Sequence, residues 1–363
     1  LLESAYCGYG ASGRNGGMAI PFHWVVFDLY KTKSAEAAKN FLSVSFQGLK
    51  LIKDYISNQG VNCDLEENGV VILAMDKRQL KELEEWDKIC RGLGLKSRLM
   101  DQKQTEAEIH SERYLGSLQI EHGAIINPAK LGRGMKLMAE SLGVKIYERT
   151  RVVSIQAGAK IKIITEEGEV SAPTMVLATN GYSAKLGFFK NRFVPLCNYV
   201  IATEPLAKEQ MEAIGWKGRQ MLWDQRVEFD YFRLTADNRI VIGGERAPYF
   251  YGGELSSGNY QPCLNMLLQS LLKIFPPLNG IKITHRWGGT MAFTIDQLPS
   301  IGVTGPDKNI FYGIGYSGEG VVMTQLAGKI ISQLYAKEET DLTRFYFVNR
   351  SLVPIPPEPL RYT

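Results

Sequence analysis

The chain has 363 residues, of which 45% are hydrophobic and 22% charged, and its formal net charge is +4. These proportions are those of a globular protein with a large core, organised as two domains or as one elaborated one. With so small a charge and no run of Lys and Arg, nucleic acid is excluded as a partner, and no apolar run reaches the roughly 18 residues of a membrane helix.

Residues 1–17 read LLESAYCGYGASGRNGG, and 1–3 look like the end of a strand. Gly8, Gly10, Gly13, Gly16 and Gly17 then make a loop whose backbone can approach a ligand closely and adopt positive φ. Ser12, Arg14 and Asn15 supply donors for phosphate or carbonyl oxygens. An acidic residue closing the second strand of a dinucleotide-binding unit, here Glu3, is what holds a ribose hydroxyl. The strand and G-x-G-x-x-G turn that precede such a residue by about 20 positions are not in the sequence, so the chain is expected to begin in the middle of the motif.

Ser34 reads as a helix N-cap; Leu42, Phe46, Leu49, Ile52 and Ile56 form an apolar stripe that Gly60 ends. Asn68-Gly69 signals a turn before a strand over 70–75, and a second helix is predicted from Asp76 to Gly94. A strand over 97–101 leads into a short polar helix over 102–110. Asn127 followed by Pro128 is a strong helix start, and that helix stops at Gly143. Three short strands are predicted at 144–148, 151–156 and 160–165, with a hairpin turn at 166–169. The apolar run 174–178 reads as a fully buried strand ending in Thr179-Asn-Gly-Tyr182. Residues 193–196, 199–203, 230–234 and 239–243 are rich in aromatic and β-branched residues and predict antiparallel strands, with a turn at Asp237-Asn238. A helix follows from Asn259 to Pro276. Last come a strand over 309–314, a glycine-rich turn over 315–320 and a helix, an arrangement that aims backbone N–H groups and a positive helix end at one point. The Pro-rich tail over 354–359 is expected to hug the surface.

Little else in the composition suggests chemistry. Cys7, Cys63, Cys90, Cys197 and Cys263 are scattered, odd in number and without a C-x-x-C pair, which suits reduced thiols. His23, His110, His122 and His285 show no ligand spacing, and no metal site is expected. With no leader segment recognisable either, a cytoplasmic protein is expected.

Together the motifs carry a resemblance. Gly10-Ala-Ser-Gly-Arg-Asn-Gly-Gly17, Val176-Leu-Ala-Thr-Asn-Gly-Tyr182, Ile201-Ala-Thr-Glu-Pro205, Arg286-Trp-Gly-Gly289 and Gly315-Tyr-Ser-Gly-Glu-Gly-Val321 occur in family order along essentially the whole chain. The sequence resembles the FAD-dependent amine and amino-acid oxidoreductases of the D-amino-acid oxidase (DAO) superfamily, with glycine and sarcosine oxidases, and most of all the branch that includes gamma-glutamylputrescine oxidase. The resemblance implies an α/β (α+β) fold, an FAD-binding Rossmann-like domain with an inserted antiparallel-sheet substrate domain. The first would be discontinuous, residues 1–32, 115–192 and 285–363, and would lack its first strand and phosphate loop; the second would comprise 33–114 and 193–284.

Residue by residue, the resemblance implies that Glu3 binds the adenosine ribose and that Ser12, Arg14, Asn15, Gly16 and Gly17 line the pyrophosphate and flavin edge. It places the backbone of Val152 against adenine and Ala178, Thr179 and Gly181 beside the cofactor. Gly315, Tyr316, Ser317, Gly318, Glu319, Gly320 and Val321 would bring a helix end to the flavin O2 position. Glu319 departs from the branch, which usually has histidine there. The segment Thr290-Met-Ala-Phe-Thr294 has no cysteine to bond the flavin, which implies noncovalent FAD.

The implied reaction is oxidation of an amine or amino acid by hydride transfer from the C–N carbon to flavin N5, giving an imine that hydrolyses, with reoxidation by oxygen or another acceptor. On the substrate side the candidates are Tyr231, Arg233, Arg286 and Trp287. Arg286 either clamps a substrate carboxylate or makes a structural salt bridge, while Tyr231 and Trp287 either face substrate or pack. Two alternatives stay open: a flavoprotein-derived binding protein without turnover, and an FAD-dependent hydroxy-acid dehydrogenase on the same fold.

Overall fold

The computed structural model describes residues 1–21, 24–255 and 259–361; His23 lies outside them. Its largest element is an eight-stranded sheet. In spatial order the strands are Ile283–Phe293, Val194–Thr203, Ile240–Gly244, Asp230–Leu234, Met221–Asp224, Val70–Ala74, Gly116–Ile120 and Ser97–Asp101. Every neighbouring pair is antiparallel except Met221–Asp224 with Val70–Ala74. Because successive side chains alternate, the sheet buries two different cores. One face, with Phe232, Ile242 and Ile201, packs on the helix Gln261–Ile274 through Leu264, Leu267 and Leu271. The other, with Ile72, Trp223 and Leu118, packs on the helices Trp24–Thr32, Ala35–Gln59, Lys77–Gly92 and Gly320–Tyr335.

The helices start and stop where local chemistry says they should. Ser34, Asp76 and Asn127 each accept a backbone N–H three residues on, and Gly60 closes the Ala35–Gln59 helix at φ 66°, a conformation that glycine adopts without penalty. The segment 33–114 does not pack as one block. Its helix Ala35–Gln59 lies along Gly320–Tyr335, with Gly48 so close to Val322 that a Cβ would fall 2.5 Å from the Val322 carbonyl oxygen, whereas its strands join the large sheet.

The strands Met18–Ala19 and Ala124–Ile125 pair as a two-stranded sheet, and two three-stranded sheets carry the rest. Ser300–Thr304, Ile310–Ile314 and Met175–Leu177 form one, the last pair parallel; Val152–Gln156, Ile161–Thr165 and Glu169–Ala172 form the other, a meander. Two strand expectations need correction. The run 144–148 forms no strand: only Tyr147 bridges, in parallel, to Leu2. The strand at 174–178 is shortened to Met175–Leu177, and Val176 is exposed rather than buried, because it is paired on one side only, by Ile310–Ile314. The helix Trp24–Thr32 and the strands Gly116–Ile120 and Ser300–Thr304 were not expected. All five cysteines are free thiols. Among the described residues no helix is long and apolar enough to cross a membrane.

Candidate active site

The strand Ile283–Phe293 is the spine of the site. Pairing partners share a face, so Trp287, Val200, Gly243 and Tyr231 form one row across four strands, continued by Trp223 and Ile72. Three inter-strand spacings put Trp287 and Tyr231 on the order of 14 Å apart. Onto this row the first glycine-rich loop is clamped. The Trp287 indole N–H donates to the Arg14 carbonyl at 2.7 Å, and Arg14 Nη1 donates to the Gly288 carbonyl at 2.9 Å. The Arg14 guanidinium also lies over the Tyr9 ring. Gly16 sits on Tyr231 so tightly that a Cβ would fall 2.5 Å from its ring, and a Cβ on Gly243 would fall 2.4 Å from its hydroxyl. The hydroxyl in turn donates to Asn198 Oδ1 at 3.0 Å, and burial pushes its pKa up.

Asn15 shapes the turn from within. Its amide donates to the Ala11 and Ser12 carbonyls, and its oxygen accepts the Gly17 N–H at 2.8 Å. Gly17 has φ 76°, and a Cβ there would meet the Ile126 carbonyl oxygen at 2.1 Å, so no other residue fits. Residues 8–13 do spell G-x-G-x-x-G, but the helix that follows is the single turn Ala11–Arg14 and no extended strand precedes it. Gly13 serves the loop itself, approaching the Gly8 carbonyl. Glu3 closes the stretch before it: its carboxylate accepts from Ala5 N–H and Ser4 hydroxyl, and its carbonyl accepts from Thr150 N–H, beside Val152.

The other two turns meet the same spine. Asn180, at φ 38°, accepts the Gly315 N–H at 3.1 Å; Gly181 abuts Thr290, and Thr179 bonds Ser183. The Ser317 hydroxyl lies 3.2 Å from Thr294 Oγ1. Past Gly315, at φ 74°, and Gly318, at φ 104°, the helix Gly320–Tyr335 starts, among the described residues, without a cap hydrogen bond from the side chain at its N-cap position. Tyr316 and Glu319 line an apolar pocket with Ile20, Pro21, Phe41 and Met323, where burial raises the Glu319 pKa to about 8. Gly320 and Val321 belong to the helix itself, and Ala178 to the segment between the strand Met175–Leu177 and the 179–181 turn.

One candidate falls elsewhere. Arg286 pairs with Ile201, so it belongs to the opposite face of the sheet from Trp287, and it is exposed. Successive strand residues face opposite sides of the sheet, so Arg286 lies off the row that Trp287 begins. Arg233, two residues after Tyr231, is on the site face, buried, and donates through Nε to the Gly16 carbonyl. Asn198, Asn180 and Thr294 are contributors that sequence reasoning missed; Asn180 and Thr294 lie in segments it had singled out for other residues, and Asn198 is a single polar residue in an unremarkable context. His285 bonds its neighbour Thr284 and Asp296 pairs with Arg350, both away from these turns' contacts.

Three glycine-rich or Asn-Gly turns, an uncapped helix start and an aromatic row therefore converge along one strand. A Cβ at Gly8, Gly10 or Gly318 would meet nothing within 4 Å, which leaves the two long turns room for a ligand at close backbone approach. A family model, DAO, FAD dependent oxidoreductase, matches residues 1–334. The chain belongs to the DAO family of FAD-dependent oxidoreductases. It is 33% identical over 366 aligned positions to the gamma-glutamylputrescine oxidoreductase of Escherichia coli K12, covering 98% of this chain and 82% of that protein. A probable oxidoreductase OrdL of Haemophilus influenzae is 27% identical, with 95% and 79% covered. The solved glycine oxidase of Geobacillus kaustophilus superposes with a TM-score of 0.80 over 96% of this chain and 91% of that one, at 19% identity, and shows the same fold. FAD is thus the cofactor this DAO chain is built for, and the open turns and uncapped helix start fit such a ligand.

Proposed function

We propose that this protein oxidises an amine or amino acid at the carbon bearing nitrogen, with FAD held noncovalently among the 8–17, 178–181 and 315–321 turns. When bound, the flavin supplies the acceptor for the hydride, and the imine left behind hydrolyses. The chain's own part is orientation and desolvation. The observation that carries the reading is the uncharged row Trp287, Val200, Gly243, Tyr231 facing a glycine-rich turn that is locked to it by Arg14. An amine brought against that row loses solvent, which favours its neutral form, the form able to release hydride. The similarity to a gamma-glutamylputrescine oxidoreductase supports an amine over a hydroxy acid.

In this reading Tyr231 and Trp287 face the substrate and Arg286 does not. Residues 1–32, 115–192 and 285–363 serve the cofactor, apart from the strands Gly116–Ile120 and Ile283–Phe293, which belong to the large sheet that, with the rest of 33–114 and 193–284, serves the substrate. Anaerobic mixing of the yellow holoenzyme with primary amines, amino acids and hydroxy acids tests it. Bleaching by amines or amino acids is expected; bleaching by hydroxy acids alone, or a colourless protein that takes up no FAD, overturns it. Acid precipitation should leave the flavin in the supernatant, and flavin retained in the pellet would refute the noncovalent assignment.

A further inference from the structure

Arg233 is 6% exposed, on the site face of the strand Asp230–Leu234. Its Nε donates to the Gly16 carbonyl and its Nη1 to the carbonyl of Leu234 at 3.1 Å, while Nη2 lies under Gly17, where a Cβ would come within 2.8 Å of it. Among the described residues no carboxylate pairs with it. The two acids whose fields reach it are engaged elsewhere, Glu66 with Arg219 and Asp64 with Lys130, and Arg219 adds a further positive charge. Burial lowers the Arg233 pKa to about 10, still far above neutrality, so the guanidinium is charged.

A buried charge without a partner is costly, and a fold that needed only to prop the Gly16 carbonyl could do so with a neutral donor. We infer that Arg233 is a positioning residue that holds the Gly16–Gly17 turn by its carbonyl and presents an unmatched positive charge beneath it, balanced by the negative charge that the cofactor acquires on reduction. The inference rests on the functional reading above, which seats the flavin at this turn. It assigns Arg233 a role in the cofactor's electron affinity and none in chemical recognition of the substrate.

Sulfite, which adds to oxidised flavin with gain of negative charge on the ring, is a substrate-free probe of the same field. In the holoenzyme, Arg233→Met should weaken sulfite binding about tenfold or more and lower the two-electron potential by about 30 mV, the equivalent of tenfold. Arg233→Lys should restore most of both. Should the methionine variant not fold, Arg233→Gln carries the comparison. Unchanged sulfite affinity and potential in the neutral variant overturn the inference, as does an effect confined to the KM for substrate, while leaving amine oxidation standing. A wild-type protein without FAD, or one bleached only by hydroxy acids, refutes the functional reading instead; the first also removes the partner this charge requires.

Discussion

Two arginines a few residues apart, Arg226 partly exposed and Arg233 buried, are treated in opposite ways by this fold. Arg226 sits in the turn between Met221–Asp224 and Asp230–Leu234 with three carboxylates on it: Asp224 through Nε and Nη2, Asp230 through Nη2 and Glu245 through Nη1. Asp224 and Asp230 are wholly buried. Arg233 receives only backbone carbonyls. Matched charge marks the arginine that fastens a hairpin against the helix Gln261–Ile274; unmatched charge marks the one beneath the Gly16–Gly17 turn. The more exposed of the two holds the carboxylates and the more buried holds none, so the counter-charge is what separates the structural arginine from the one proposed to serve a ligand.

The sharpest way to break that comparison is Asp224→Asn, which leaves Arg226 short of its best partner. Removing one member of a buried ion pair should cost about 3–5 kcal/mol, read by urea unfolding of the apoprotein; a cost below about 1 kcal/mol, typical of exposed pairs, would place Arg226 with the dispensable surface charges. Next comes Gly17→Ala, which forces a side chain into the Ile126 carbonyl and Arg233 at positive φ. A loss of about 3 kcal/mol is expected, together with a reduced FAD-to-protein ratio; normal flavin content would mean that the turn can move without consequence.

The third concerns Asp230, whose pKa is pushed up to about 7, mainly by burial and against the pull of Ser270 and Arg226. Its unfolded value is near 4, so the folded state holds the proton more tightly and gains stability at low pH. That gain drains away as pH rises from about 4 to 7. Relative to Asp230→Asn, the wild type should therefore lose stability across this window and run parallel above it; parallel curves throughout would show that Asp230 is ionised in the fold. The smallest effect is expected for Arg233→Met in the apoprotein. Losing two hydrogen bonds to carbonyls while discarding an unpaired charge should change stability by about 1 kcal/mol; a loss as large as that of Asp224→Asn would make Arg233 a second structural clamp.

Much of this was readable in the chain because it is locally determined. Ser34, Asp76, Asn127 and Gly60 act within one helical turn of themselves, and their boundaries followed. The tract 144–148 runs beside residues 1–5 with a few parallel backbone hydrogen bonds, among them Tyr147 N–H to Leu1 and Glu3 N–H to Tyr147, that amount to one bridge and no strand, and strand formation needs a partner that local sequence does not reveal. Trp24–Thr32 was passed over because it is held by tertiary contacts, its Trp24 and Phe27 rings packing on Trp86. Arg286 and Trp287 illustrate a signal that was present and unused: adjacent residues on a strand point to opposite sides, so the two could not share one row of the sheet. The role of Arg233 was not readable at all, since it depends on which distant acids are already occupied.

The spine strand has one more consequence. Ile283–Phe293 is laced to Val194–Thr203 from Val194 through Thr203, and the residue after its last touches Ser317 in the second cofactor turn. The 315–320 turn is therefore fastened to the end of that ladder, by this bond and by the Ser317 N–H on the Ala292 carbonyl. Hinging the turn away from the sheet would break both bonds, so in the proposed reading sheet and turn move as a single jaw and substrate enters by side chains and loops at the rim.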